Sequence, residues 1–166
     1  MNLYLLLPMS AIIHIAEEFL FPGGFLAWYR AYKPEIALSI TPRFLFLINT
    51  VLILACLIPL SLGNTPYSVA LWLSISSILF TNAIFHIQAS IRTLTYSPGT
   101  ITSILLYIPL SIYGFWIFIS NEQASIGTAI SSFLIGASYH WFSLSNHRRR
   151  AKVEETQDLR QKSKSG

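Results

Sequence analysis

The sequence predicts an all-α fold, a polytopic integral membrane helical bundle of about five transmembrane helices. Three observations carry that prediction. The chain of 166 residues is 53% hydrophobic and 11% charged, with a mean hydropathy of +0.55, whereas soluble domains carry about 25% charged residues. Its apolar residues gather into segments close to the ~20 residues a helix needs to cross a bilayer. Its basic residues alternate between connections, as membrane topology requires. The length fits one unit, a bundle over residues 1–145 followed by a basic tail over 146–166. That tail is poor in apolar residues and reads as disordered or as a short surface helix.

The five segments run at about 2–20, 42–62, 68–91, 100–120 and 125–144. The first lacks the positive start and small-residue cleavage site of a signal peptide, so a retained helix is expected. Phe21-Pro22-Gly23-Gly24 breaks the chain after it. Trp28, Tyr29, Arg30, Tyr32 and Lys33 then form an aromatic and basic stretch suited to the membrane surface. Gly63-Asn64-Thr65-Pro66 is a tight uncharged turn, and Pro98-Gly99 marks the next one. Ser97, Thr100 and Thr102 are placed to cap or start the fourth helix. Pro59 and Pro109 read as kinks, which membrane helices tolerate because neighbours satisfy the freed carbonyls.

Arg30, Lys33, Arg43, Arg92 and the tail fall on one side of a five-span chain. The positive-inside rule then puts the N-terminus outside the cell membrane and the C-terminus in the cytoplasm. Most of the eleven Lys and Arg lie beyond residue 147, in a short tail. A net charge of +4 placed there suggests topology or anionic lipid as its purpose, and no nucleic-acid partner. The single cysteine, Cys56, excludes an internal disulfide.

His14, Glu17 and Glu18 interrupt the first apolar segment. Each intramembrane carboxylate costs about 2.5–3.5 kcal/mol on insertion scales, so such residues mark function by default. Positions i, i+3 and i+4 share a helix face, so both acids flank the face of His14. The predicted orientation brings His86, with Asn82 four residues before it, and His140 to the same cytoplasmic depth. Two chemistries suit such a layer. His14, Glu17, Glu18 and His86 are ligands for a divalent metal, zinc or iron, with an open position for water or substrate. Without metal, close carboxylates and imidazoles form an acid/base pair. In either case Glu17, Glu18, His14 and His86 are the candidate catalytic residues, and Asn82, Trp28, Tyr96 and His140 the candidate substrate contacts.

Structural roles compete for the same residues. A His–Glu pair can neutralise itself and pin helices together. Asn82 can serve as interhelical glue, His140 as a snorkelling residue and Trp28 as an interfacial anchor. Arg92 reads as a positive-inside anchor, and His147, beside Arg148-Arg149-Arg150, as solvated.

His14-x-x-Glu17-Glu18, Phe21-Pro22-Gly23-Gly24-Phe25, Trp28-Tyr29 and Thr41-Pro42-Arg43-Phe44 together resemble the small bacterial membrane proteins of the HXXEE domain family. Asn82-Ala83-x-x-His86 and Tyr96-Ser97-Pro98-Gly99-x-x-Thr102 are similar to its second half. The resemblance covers about residues 5–115 and implies a multi-span membrane protein with His14, Glu17 and Glu18 as signature positions. It supplies no substrate. From the polar layer itself, the expected function is a membrane enzyme acting on a lipid-like or isoprenoid substrate that enters from the bilayer. A proton- or metal-coupled transporter is the alternative, although only Ser, Thr and Asn49 offer polarity toward the outer leaflet. A structural or accessory subunit is the third reading. Membrane lipids are the expected surroundings, and no oligomeric state follows.

Overall fold

The computed structural model describes residues 2–21 and 23–165, the side chains of residue 154 and of residues 157–165 excepted. Pro22, and the side chains of Arg160, Lys162 and Lys164, therefore lie outside the described residues. Helices α1 (Leu3–Leu20), α2 (Gly24–Tyr32), α3 (Pro42–Leu62), α4 (Pro66–Thr93), α5 (Thr100–Ser120) and α6 (Ile126–Ser165) follow in order. A short 3₁₀ turn, Pro34–Ser39, joins α2 to α3.

Helices α1, α3 and α4 start where the sequence supplies a cap. Asn2, Thr41 and Thr65 accept from the backbone N–H two or three residues on. Pro42 and Pro66 take the first helical position, where no N–H is needed. Gly63 and Gly99 leave the chain at positive φ, 65° and 102°, which only glycine adopts without strain. Among the described residues, α1, α3, α4 and α5 are long and apolar enough to cross a membrane. The fifth apolar segment forms the first part of α6, where Ser131, Ser132, Ser138 and His140 dilute its apolar character. The helix then runs on without a break through the basic stretch to Ser165.

Helices α1, α3, α4, α5 and the start of α6 alternate in direction, the first pair bridged by α2 and the 3₁₀ turn and the others by short connections. One end of the bundle is tied by Tyr4, whose hydroxyl donates to Asn64, and by Gln123, which donates to the same amide oxygen. The other end holds the last turns of α1 and α4 and the first of α3 and α5. Helix α4 is the centre and packs most extensively on α6. A stripe of small residues, Ala129, Ser132 and Gly136, lets the two backbones approach, and Ser132 donates to the Ala70 carbonyl. Leu7, Ala11, Cys56, Val69, Trp72, Leu73 and Leu79 fill the core. Large apolar side chains point outward instead: Leu20 is 83% exposed, Phe46 72% and Leu105 65%. Such a surface suits lipid and not water.

Helix α2 lies over the polar end. Trp28, Tyr29 and Tyr32 pack around Phe85 of α4. Arg30 donates from Nε and Nη2 to the Ile40 carbonyl, tying α2 to the start of α3. His147, which the sequence places in solvent, is a correction. It is buried, with Nδ1 2.8 Å from the Ser39 hydroxyl and its ring edge-on to Phe44. That hydroxyl gives its proton to the Ile36 carbonyl, so His147 Nδ1 is the donor. Burial and the neighbouring Arg150 hold the imidazole below the usual histidine range, which keeps it neutral. The reason for the difference is local: the 3₁₀ turn packs on α6 and covers this face.

The close α4–α6 approach gives a direct prediction. A Cβ on Gly136 would overlap the Ser74 carbonyl and lie 2.5 Å from Ser77 Cβ. Gly136→Ala should therefore cost about 1–3 kcal/mol, as overpacking does. Gly127→Ala, whose Cβ meets nothing nearer than Ser125 Oγ at 3.7 Å, should leave the thermal midpoint unchanged or raised. Equal midpoints for the two variants would contradict this packing.

Candidate functional site

Two consecutive glutamates on a helix point about 100° apart, so they need not face the same space. The structure separates them. Glu18 turns into the bundle and is buried, one turn after buried His14. Glu17 turns toward the loop before α5. There its carboxylate accepts from the Ile101 N–H at 3.1 Å, the Thr102 N–H at 2.8 Å, the Thr102 hydroxyl at 2.5 Å and the Tyr96 hydroxyl.

Those contacts make Glu17 the cap of α5, supplied from another helix. The first N–H groups of a helix lack intrahelical partners and carry partial positive charge, a setting that favours a carboxylate. The Ser and Thr hydroxyls expected to cap α5 do not: the residue before the helix, Gly99, has no side chain to offer. Burial and the bond to Glu17 push the Tyr96 phenol up to about 12, so it stays a donor. Glu17 as metal ligand or acid is thus not where the structure leads, because its oxygens are consumed by four donors.

Glu18, His14 and His86 do converge. Glu18 Oε1 lies 3.5 Å from His14 Nε2 and 3.3 Å from His86 Nε2. All three residues are buried, and their nearest ligand atoms lie within 4.8 Å of one another. The rings are oriented from behind. His14 Nδ1 is 2.8 Å from Thr102 Oγ1, and His86 Nδ1 is 3.0 Å from Ser97 Oγ. Since Thr102 gives its proton to Glu17, it accepts from His14 Nδ1–H. His14 Nε2 therefore carries a lone pair, which the Asn82 amide meets at 3.2 Å. His86 Nε2 has Glu18 Oε1 as its polar neighbour, at 3.3 Å but outside hydrogen-bond geometry. The set is two aimed imidazoles and one carboxylate, tuned by partners behind them.

Packing fixes the site further. A π turn at Ser103–Tyr107, closed by Ile108 N–H to the Ser103 carbonyl, precedes Pro109. A proline there denies the Leu105 carbonyl its partner and widens the turn. The wide turn lays the Tyr107 ring on His14 at 4.3 Å, its hydroxyl buried without a partner. Gly99 is required as well, because a Cβ there would sit 2.8 Å from Cε1 of both His14 and His86.

A cavity of about 230 Å³ reaches His14 and Glu18. Of the expected substrate contacts, Asn82 and His140 line it, with His140 against Phe85 at 5.3 Å. Trp28 stacks on Tyr32 and donates to Thr95 at 3.4 Å, outside the lining, and Tyr96 serves Glu17. Sequence reasoning missed Phe25 and Tyr29 in the lining. It also missed the site roles of Ser97, Thr102, Gly99 and Tyr107. The Tyr96-Ser97-Pro98-Gly99-x-x-Thr102 spacing was the signal for the first three, and Tyr107 lay outside it.

A family model described as a protein of unknown function with HXXEE motif matches residues 5–114, and the chain belongs to that family. No curated protein and no solved structure matches. The matched span contains every residue of the His14–Glu18–His86 set and the partners behind it.

The division between the acids is testable. Charge-assisted bonds contribute about 1.5–3 kcal/mol each, so Glu17→Gln should lower the thermal unfolding midpoint clearly in detergent or nanodiscs. A Glu17→Gln protein as stable as wild type would refute the capping role.

Proposed function

We propose that this chain is a membrane-embedded metalloenzyme acting on a lipid-like substrate, with a divalent zinc or iron held by His14, Glu18 and His86. One observation carries the reading: Glu18 Oε1 faces two imidazole nitrogens at 3.3 and 3.5 Å, one holding a lone pair and one without a hydrogen bond. Two such nitrogens beside a carboxylate leave a position for a cation. Two histidines and one carboxylate are also the donor set of catalytic zinc sites and of non-haem iron(II) sites, both of which keep a coordination position open. Bound there, the metal would supply Lewis acidity or an activated water.

The chain's own residues complete the setting. Thr102 and Ser97 hold the imidazole rings from behind, and Glu17 fixes Thr102. Asn82, now on His14 Nε2, is a donor free to turn to a substrate oxygen once that nitrogen has another partner. The cavity is lined mostly by apolar side chains such as Leu45, Leu52 and Leu79, which suits a lipid-like substrate. Transport is the weaker reading, because beyond the site the large side chains Leu7, Val69, Trp72 and Leu73 fill the core, and the buried polar side chains there that are described are serines with no ionisable group among them.

Metal content tests the proposal. Protein purified without chelators and loaded with zinc or iron(II) should hold about one ion per chain. Glu18→Gln and His86→Ala should each weaken it by tenfold or more, while Thr102→Val, behind His14, should lose about 10–100-fold. Wild type that stays metal-free in excess zinc and iron, or variants that bind as tightly as wild type, would overturn it.

A further inference from the structure

Helices α3 and α6 both pack on neighbours but scarcely on each other. Between them the inner 230 Å³ cavity continues into an outer one of about 660 Å³, the two sharing Phe44, Ile48, Tyr139, Ser143 and His147. The result is one cleft, reaching from the His14–Glu18 end of the bundle outward along α6. Its chemistry changes along its length. The inner part is mostly apolar apart from the polar groups at its His14–Glu18 end, and the outer part is flanked by Arg149 and Arg150. Arg150 lies over the Phe44 ring at 4.8 Å, which seats its charge at the cleft wall.

From this we infer that the cleft is a binding site for a single-chain anionic amphiphile drawn from the bilayer. Its carboxylate or phosphate headgroup pairs with Arg149 and Arg150, and its alkyl chain runs inward past Ile48 and Tyr139 toward His140. The dimensions agree. Ten residues of α6 separate His140 from Arg150, about 15 Å at the helical rise. The cleft is therefore long enough to take an extended alkyl chain along α6. Arginine forks match carboxylate and phosphate oxygens bidentately. A neutral lipid would fit the inner cleft equally well but would leave the arginines at its mouth without an anionic partner. The identification of the substrate class rests on the enzyme reading above; the binding itself does not require a metal.

The test uses the whole protein in nanodiscs of zwitterionic lipid, with a palmitate analogue carrying a diazirine in its chain. Photolysis and peptide mapping should place the label on cleft residues near Ile48 and Tyr139. Arg149→Ala combined with Arg150→Ala should reduce cleft labelling about tenfold. Ile48→Trp, which fills the passage with both arginines intact, should abolish it. The matching hexadecanol probe should label only lipid-facing residues such as Phe46 and Leu105. Equal cleft labelling by hexadecanol, labelling confined to the outer surface, or no effect of the arginine substitutions would overturn the inference. Millimolar inorganic phosphate that displaces the probe as well as unlabelled palmitate does would also overturn it, assigning the arginines to a free anion. Glu18→Gln should lose metal and keep the label, so failure of the metal site and failure of the amphiphile site read out separately.

Discussion

Glu17 on α1 accepts four hydrogen bonds from the loop and first turn of α5, and the rest of the polar end depends on that anchorage. A carboxylate in an apolar segment is costly unless donors surround it. Here the donors are the otherwise orphaned N–H groups of a helix start, so the same contacts that satisfy Glu17 satisfy α5. Because Thr102 is one of the donors, its hydroxyl proton is committed. The hydroxyl oxygen must then accept from His14 Nδ1. A structural cap thereby sets the tautomer of a site residue, leaving the lone pair of His14 Nε2 to the Asn82 amide, with Glu18 Oε1 3.5 Å away.

Around that anchorage, close packing holds the second imidazole. Gly99 leaves just enough room for His14 and His86 to approach it, and Ser97 beside it takes His86 Nδ1. Phe25 of α2 covers His86 at 5.4 Å, while Tyr107 covers His14. Four helices and one loop thus contribute to a site only a few ångströms wide. The far half of the bundle has another character, a core of Leu, Val and Trp side chains around α4. The ionisable groups His14, Glu18 and His86 are thus gathered at one end, while large apolar side chains and a few buried serines fill the other.

Much of this was legible in the sequence. The all-α membrane fold followed from apolar segment length and scarce charge, and the family followed from the His14-x-x-Glu17-Glu18 run with its downstream motifs. The shared depth of His14, Glu18, His86 and Asn82 followed from segment ends. Rotation did not follow: placing Glu17 with Glu18 ignored the 100° step between neighbours on a helix. What captures Glu17 is a loop 79 residues later, and no local pattern announces that contact. His147 was misplaced for a related reason, since a buried histidine beside three arginines needs a covering segment that periodicity does not reveal. The hydroxyls of Ser97 and Thr102 looked like ordinary caps until the histidines behind them were known.

X-ray absorption at the metal edge of the loaded protein tests the central claim most directly. The account predicts a first shell of two imidazole nitrogens and carboxylate oxygen at about 2.0–2.2 Å, with the outer-ring scattering of two histidines. The same first shell should persist in the metal that Glu17→Gln still holds, with weaker loading because the anchorage of Thr102 behind His14 is lost, and collapse in His14→Ala. A shell made of oxygens alone, or one that survives loss of His14, would place the metal elsewhere and contradict the account.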